Sequence, residues 1–165
     1  GLQDLKHLTK GALAEMRTLL LELHPASLVE KQLGELLQQL ADATSGRTRL
    51  ETTVDMQCQK RLSKKVQVAL YRTAQEALNN VVKHSEAKHV WLTLKENGQE
   101  VELTVRDDGR GFDPQNETGG MGLGMMRQRI QSINGNLQVE SQIGVGTTIR
   151  VHWSPDAGQN GGHEL

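Results

Sequence analysis

The chain has 165 residues, a formal net charge of −1, 36% hydrophobic and 24% charged residues and only 2% aromatics, so one ordinary domain plus a short extra element can form around Leu, Val, Ile, Ala and Met. Mixed charge of both signs gives no electrostatic case for DNA or RNA as the main partner, and the single Cys58 excludes an internal disulfide or a thiolate metal cluster and reads as a reduced cytosolic thiol. No apolar run approaches the roughly 20 residues that span a bilayer, and no signal peptide is visible.

The chain opens at Gly1-Leu2, without Met and already inside a helical pattern, which suggests a piece of something longer. From Leu2 to about Leu23 the apolar residues Leu2, Leu5, Leu8, Ala12, Met16, Leu19, Leu20 and Leu23 form one stripe at helical period. Pro25 stops it, because Pro has no N–H and disfavours helix in the residue before it. Such a stripe needs cover, from its own domain or from other helices in a bundle, and the pattern leaves both open. A second helix is expected from about Leu28 to Ala43, ending in Thr44-Ser45-Gly46. "TRLETTVDMQ" alternates, with Leu50, Thr52, Val54 and Met56 on one face of a strand.

Ser63 is a plausible N-cap for a long helix reaching about His84. "HVWLTLKENGQEVELTVRDDG" predicts a hairpin around Asn97-Gly98, with Val90, Leu92, Leu94, Val101, Leu103 and Val105 inward. A short helix follows from about Leu123 to Asn134, with Gly135 as its C′ residue. "NLQVESQIGVGTTIRVHW" predicts a second hairpin, and the Gly-rich tail "SPDAGQNGGHEL" is expected to be disordered. The body from about residue 30 to 153 thus holds three helices and roughly five strands, helices over one mostly antiparallel sheet: an α+β fold.

Three stretches could carry chemistry. On the long helix, Leu70, Tyr71, Ala74, Leu78 and Val81 share one side, while Thr73, Glu76, Asn80, Lys83 and His84 gather on the other. A polar helix face is usually only solvated. Here it includes the poor helix formers Asn79-Asn80, and a carboxylate, an amide oxygen and a cation together suit a Mg²⁺–phosphate site. "RDDGRGFDPQNETGGMGLGMM" comes straight off a strand. Asp107 there can accept a hydrogen bond from an exocyclic amine or a water. Gly109 and Gly111 permit a sharp turn and the approach of a flat ligand. Gly120, Gly122 and Gly124 then lead into a helix whose free N–H groups would face phosphates. Gly146-Thr147-Thr148 adds a hydroxyl within possible reach. No G-x-x-x-x-G-K-[ST] is present, and G-x-G-x-G without a surrounding βαβ unit is not a dinucleotide fingerprint.

"YRTAQEALNNVVKHSEA" resembles the N box of sensor histidine kinases, "DDGRGF" the G1 box, "GGMGLGMMRQR" the G2 box and "GVGTTIRV" the closing strand motif of the same Bergerat (GHKL) ATP-binding fold. The form E-A-L-N-N-V-V-K-H resembles the NarX/LiaS/DesK-like subfamily, with Glu where most histidine kinases have a first Asn. "ALAEMRTLLLELHPASL" looks like the second helix of that family's dimerisation and phosphotransfer bundle. The motif resemblance covers about residues 65–152, and a weaker one residues 2–64.

The resemblance implies a two-layer α/β sandwich of Bergerat type, helices on one face of a mostly antiparallel mixed sheet, preceded by the bundle helix. It implies residues 1–27 as a partial bundle, 28–153 as the catalytic ATP-binding domain and 154–165 as a tail. Asn80 matches the Mg²⁺-binding Asn, and Glu76 the group that acts as base or orients the attacking atom. Lys83 and His84 match nucleotide contacts, and Asp107 the carboxylate that holds the adenine amino group. Gly109 and Gly111 match the G1 glycines, Gly120, Gly122 and Gly124 with Leu123 the G2 box, and Thr147 the adenine-side hydroxyl. Residues from about Phe112 to Gly120 would form a short ATP lid, with Met121, Met125 and Met126 near it as adaptable packing or core filler.

The implied activity is a cytoplasmic protein-histidine kinase using ATP and Mg²⁺ in a two-component phosphorelay. It would act as a homodimer and pass the phosphoryl group to a response regulator, with the NarL/LuxR type as a candidate. One departure matters. None of the six His residues lies in a phosphoacceptor motif such as R-E-L-H-D; His7 has no acid beside it and reads as a surface residue. The acceptor is therefore expected upstream of this fragment. Rival readings are a GHKL ATPase in which Glu76 activates water, and a module that holds nucleotide without turnover.

Overall fold

The computed structural model describes residues 1–23, 30–115 and 120–158, with the side chains of residues 7, 11, 14, 15, 17–23, 120, 121, 157 and 158 outside the description. Helix α1 (Leu2–Leu23) is followed by α2 (Leu33–Arg47), strand β1 (Glu51–Gln57) and α3 (Lys64–Asn80), which runs on into a π-helical turn (Val81–Ser85). Then come the hairpin β2 (His89–Asn97) and β3 (Glu100–Asp107), helix α4 (Gly120–Gln131), the hairpin β4 (Asn136–Gln142) and β5 (Gly146–Trp153), and a short 3₁₀ turn (Pro155–Gly158). The body from residue 30 thus shows the expected three helices and five strands among its described residues. The helical turn at Pro155–Gly158 lies within the stretch expected to be disordered; the rest of that tail, Pro25, and residues 116–119 of the expected lid lie outside the described residues.

The strands form one sheet in the order β1-β2-β3-β5-β4. β1 and β2 are parallel, joined by the crossover through α3, and every other pair is antiparallel. Register brings Val54, Leu92, Val105, Ile149 and Val139 into one row across all five strands, and Met56, Leu94, Leu103, Val151 and Leu137 into the next. A slip of one residue in any strand would turn its apolar set to solvent, so this pattern itself fixes the register. On that face α2, α3 and α4 bury Leu36, Leu37, Leu70, Tyr71, Met126 and Ile130 completely. The other face carries a polar ladder, in which Arg106 lies 5.2 Å over the Trp91 ring and His89 stacks on it at 4.3 Å.

Several sequence expectations shift. α2 runs through Thr44-Ser45-Gly46 to Arg47, because Thr44 is buried and its hydroxyl donates to the Leu40 carbonyl one turn back, so no turn is needed there. The β2–β3 loop is Gly98-Gln99 rather than Asn97-Gly98. Asn97 pairs with Glu100, and Gly98 (φ +63°) takes the first central position, the place for Gly in a type II′ turn. α4 begins at Gly120, three residues before the expected Leu123. At its other end the left-handed residue is Asn134 (φ +59°), not Gly135. Asn tolerates that conformation, and Gly135 is needed instead because a Cβ there would press on the Ile130 side chain. Met126 is core filler at 0% exposure, whereas Met125 faces solvent.

α1 lies against α2. Leu2, Leu5, Leu8, Leu13 and Met16 of this helix are exposed. The side chain of His7 is among those outside the description.

Candidate functional site

Ser63 caps α3 as expected, its hydroxyl accepting from the Val66 N–H at 3.4 Å, a bond type that contributes about 1 kcal/mol. The helix then lies on the sheet with Leu70, Tyr71, Ala74 and Leu78 buried beneath it. One member of the expected polar stripe is misplaced: Thr73 is 1% exposed, and its hydroxyl has no hydrogen-bond partner among the described residues. At seven residues from Asn80 it lies a further two turns toward the N-terminus, where α3 is covered by its neighbours rather than open. The rest of the stripe, Glu76, Asn80, Lys83 and His84, lines one cavity of about 670 Å³.

The switch from α to π winding at Val81 shapes that wall. The Ser85 hydroxyl donates to the Val81 carbonyl at 2.7 Å and accepts from the Ala87 N–H, and Glu86 closes the turn with φ +53°. Single π turns inside helices recur at functional sites because the extra residue re-aims side chains. Here the turn presents Lys83 and His84, both exposed, on the same wall as the half-buried Glu76 and Asn80.

Across the cavity the floor is the end of β3. Asp107 is 6% exposed and accepts the Gly109 N–H at 2.8 Å. Burial pushes its carboxyl above the ordinary carboxylate value, against the opposing pull of N–H groups from Gly109 and Thr147; the neighbouring Asp108 charge adds to the rise. Asp108 behaves oppositely. It is exposed, it accepts the Lys88 and His89 N–H groups at 2.9 Å each, and those bonds, His89 first, hold it below the usual range. The adjacent aspartates therefore divide the work: Asp108 ties down the start of β2, and Asp107 is the buried polar group that faces the cavity. Thr147 lines the cavity and shares a 2.7 Å hydroxyl contact with Ser141.

The glycines separate into groups. Gly111, Gly122 and Leu123 line the cavity. Gly109 is held against the π turn, where a Cβ would collide with the Ser85 carbonyl and lie 2.6 Å from the Ser85 Cβ; its closest approach is to the protein itself. Gly122 lies over the α3 wall of the cavity, where a Cβ would come 2.7 Å from Glu76 Oε1. Gly120 and Gly124 belong to the first turns of α4, and a Cβ on Gly124 would meet nothing within 4 Å. The wall also contains Phe112, the start of the expected lid, and Val105, expected only as a core residue, together with residues that the sequence did not single out: Arg110, Ile143 and Ile149. Arg110 and Phe112 alternate with glycines inside a stretch that was already conspicuous, but nothing in the sequence ties Ile143, 70% exposed in the β4–β5 turn, to this cavity.

Chemically, the cavity pairs a buried acceptor at one end with a carboxylate, an amide, an ammonium and an imidazole at the other. Among the described residues no cluster of three or more His, Cys, Asp or Glu could hold a metal ion. The Asn80 amide oxygen, beside the Glu76 carboxylate, could hold a Mg²⁺ that would take its remaining ligands from phosphate and water, as this ion prefers. No helix among the described residues is long and apolar enough to cross a membrane.

Residues 65–157 match the profile of the "Histidine kinase-, DNA gyrase B-, and HSP90-like ATPase" family. The chain is 37% identical over 147 residues to the sensor histidine kinase LiaS of Bacillus subtilis (strain 168), covering 88% of this chain and 41% of that protein. It is 33% identical over 163 residues to an uncharacterized sensor-like histidine kinase of Chloroflexus aurantiacus, covering 91% and 27%. The chain thus spans less than half the length of these relatives. In structure it resembles the histidine kinase domain of the Erythrobacter litoralis EL346 blue-light activated histidine kinase, with TM-score 0.66, 24% identity and coverage of 78% and 63%. It also resembles full-length ShkA in complex with AMPPNP, with TM-score 0.62, 23% identity and coverage of 76% and 30%.

Proposed function

Because the chain belongs to the histidine kinase-, DNA gyrase B- and HSP90-like ATPase family, we propose that it is the ATP-binding catalytic portion of a sensor protein-histidine kinase, which transfers the γ-phosphoryl group of ATP to a histidine outside these residues. The observation that carries the reading is the single cavity that collects Glu76, Asn80, Lys83 and His84 from one helix and Asp107 and Thr147 from the opposite strands.

The buried Asp107 carboxylate reads the base by accepting from its exocyclic amine, and the Thr147 hydroxyl completes that end. Lys83 and the N–H groups at the start of α4, with Gly122 among them, face the phosphates. Asn80, with Glu76 beside it, would hold a Mg²⁺, which supplies charge neutralisation. Phosphoryl transfer depends mainly on positioning and electrostatics, and Glu76 orients or deprotonates the incoming imidazole. Residues 1–27 would then belong to a dimerisation bundle, where the exposed apolar side of α1 meets a second copy. A response regulator, of the NarL/LuxR type, would receive the phosphoryl group, in the cytoplasm.

The test is labelling with γ-³²P-ATP. The fragment alone should not label, and a separate bundle segment bearing an acceptor histidine should label in trans. Glu76→Gln should lose that transfer far more than it loses ATP binding. ATP hydrolysis without any trans labelling would favour a water-activating ATPase, and acid-labile label on His7 would overturn the placement of the acceptor.

A further inference from the structure

We infer that Ser141 is a positioning residue for base recognition: its hydroxyl sets the direction of the Thr147 hydroxyl, which then meets the base as a hydrogen-bond acceptor. The inference rests on the nucleotide reading above and names what makes the base end selective.

Ser141 lies directly opposite Thr147 in the β4–β5 pair. The core-facing row Val139, Ile149 and Val105 is followed, two residues along each strand, by Ser141, Thr147 and Asp107, which share its face because side chains alternate. Three apolar residues thus give way to three polar ones at the end of the sheet that meets the cavity. Asp107 and Thr147 line the cavity, whereas Ser141 is no part of its wall. Ser141 can therefore act on a ligand only through a neighbour.

The Ser141 hydroxyl meets three polar groups. It accepts the Phe112 N–H at 2.9 Å, donates to the Gly146 carbonyl at 3.3 Å, and shares the 2.7 Å contact with Thr147 Oγ1. A hydroxyl has one proton to give. The amide can only donate and the carbonyl can only accept, so with both of those bonds made the proton of the third bond comes from Thr147. Thr147 then turns a lone pair, not a proton, toward the cavity, and its backbone N–H already donates to the Asp107 carboxyl. Asp107, which accepts the Gly109 N–H, presents oxygen as well. A base end built from two acceptors suits an exocyclic amine, which carries two N–H donors, and repels a carbonyl oxygen in the same place. Without the Ser141 hydroxyl, the Thr147 O–H is free to rotate and donate, and a 6-oxopurine becomes acceptable.

The experiment measures dissociation constants of adenosine, inosine and ADP by NMR titration for the wild type, Ser141→Ala, Ser141→Thr, Thr147→Val and the double variant. Amide spectra verify that each is folded. Thr retains the hydroxyl and suits a strand, and Ser141→Cys, which keeps the shape but donates weakly, carries the same expectation as Ala if the Ala variant does not fold. The wild type should prefer adenosine to inosine. Ser141→Ala should narrow that preference about fivefold, as the loss of one hydrogen bond implies, and Ser141→Thr should keep most of it. In the Thr147→Val background, removing the Ser141 hydroxyl should change the preference by less than about twofold, because the group through which it acts is gone. Equal weakening of both nucleosides in Ser141→Ala, an effect that persists in the Thr147→Val background, or a Thr variant that behaves as Ala would show that Ser141 only holds the hairpin, and would overturn the inference. A wild type that binds ADP and both nucleosides without preference would overturn it while leaving the nucleotide reading intact. A wild type that binds none of the three would overturn both.

Discussion

Gly122 of α4 packs directly onto Glu76 of α3: a Cβ at residue 122 would come 2.7 Å from Glu76 Oε1, and 3.5 and 3.6 Å from the two side-chain amide atoms of Asn80. The first turn of one helix is thereby pressed against the polar wall of another. Only a residue without a side chain leaves room there for Glu76 to keep its place.

This contact predicts that Gly122→Ala damages function more than folding. The atom that would clash is the end of a flexible side chain, so Glu76 can swing aside at little cost in stability. Displacement of an orienting carboxylate by about 1 Å costs one to two orders of magnitude in rate. Trans phosphorylation should therefore fall about tenfold or more, with a melting temperature near that of the wild type. A variant that melts much earlier would show that Gly122 serves packing instead.

Asp107 predicts a coupled effect on stability and binding. Its folded-state pKa is raised, chiefly by burial. The stability linked to this group is present in full below the ordinary carboxylate value, where the group is protonated in both states, and is lost as pH rises through the raised value. Asp107→Asn should thus be as stable as the wild type or more stable at neutral pH, with the difference vanishing in acid. Its nucleotide affinity should fall at least tenfold, about 1.4 kcal/mol. Thermal melts across pH check the first half and calorimetry the second; a variant that is less stable at neutral pH and binds ADP normally would contradict both.

Gly124 predicts a gain. It is helical, and a Cβ there would meet nothing within 4 Å. Gly→Ala in such a position stabilises a helix by about 0.5–1 kcal/mol, which raises the melting temperature by about 1–4 °C in a chain of this size. If the first turns of α4 must rearrange around bound phosphates, the same substitution weakens ATP binding by reinforcing the helical form. A Gly124→Ala variant with raised stability and unchanged ATP affinity would show that the glycine has no part in binding.

The sequence by itself determined the strands, the core and the polar face of α3 that lines the cavity. Alternation along β2 and β3 is a strictly local signal, because side chains take opposite faces at successive residues, and it returned Val90, Leu92, Leu94, Val101, Leu103 and Val105 as inward without any knowledge of the partner strands. Helical spacing likewise put Glu76, Asn80, Lys83 and His84 on one side. The misread turns show the limit of local signals: a Gly next to an Asn marks a turn at Asn97-Gly98 and at Asn134-Gly135, but which residue takes the left-handed conformation depends on strand register in one case and on the space beside Ile130 in the other. Thr73 looked polar and exposed by angle alone, yet two turns further along the helix the same angle points into packing. Tertiary structure alone decided that Gly109 serves the Ser85 backbone and Gly122 serves Glu76, and that Arg110 and Ile143 belong to the wall. The two glycine assignments join residues 24 and 46 positions apart, and no pattern along the chain encodes which group a given glycine will have to make room for.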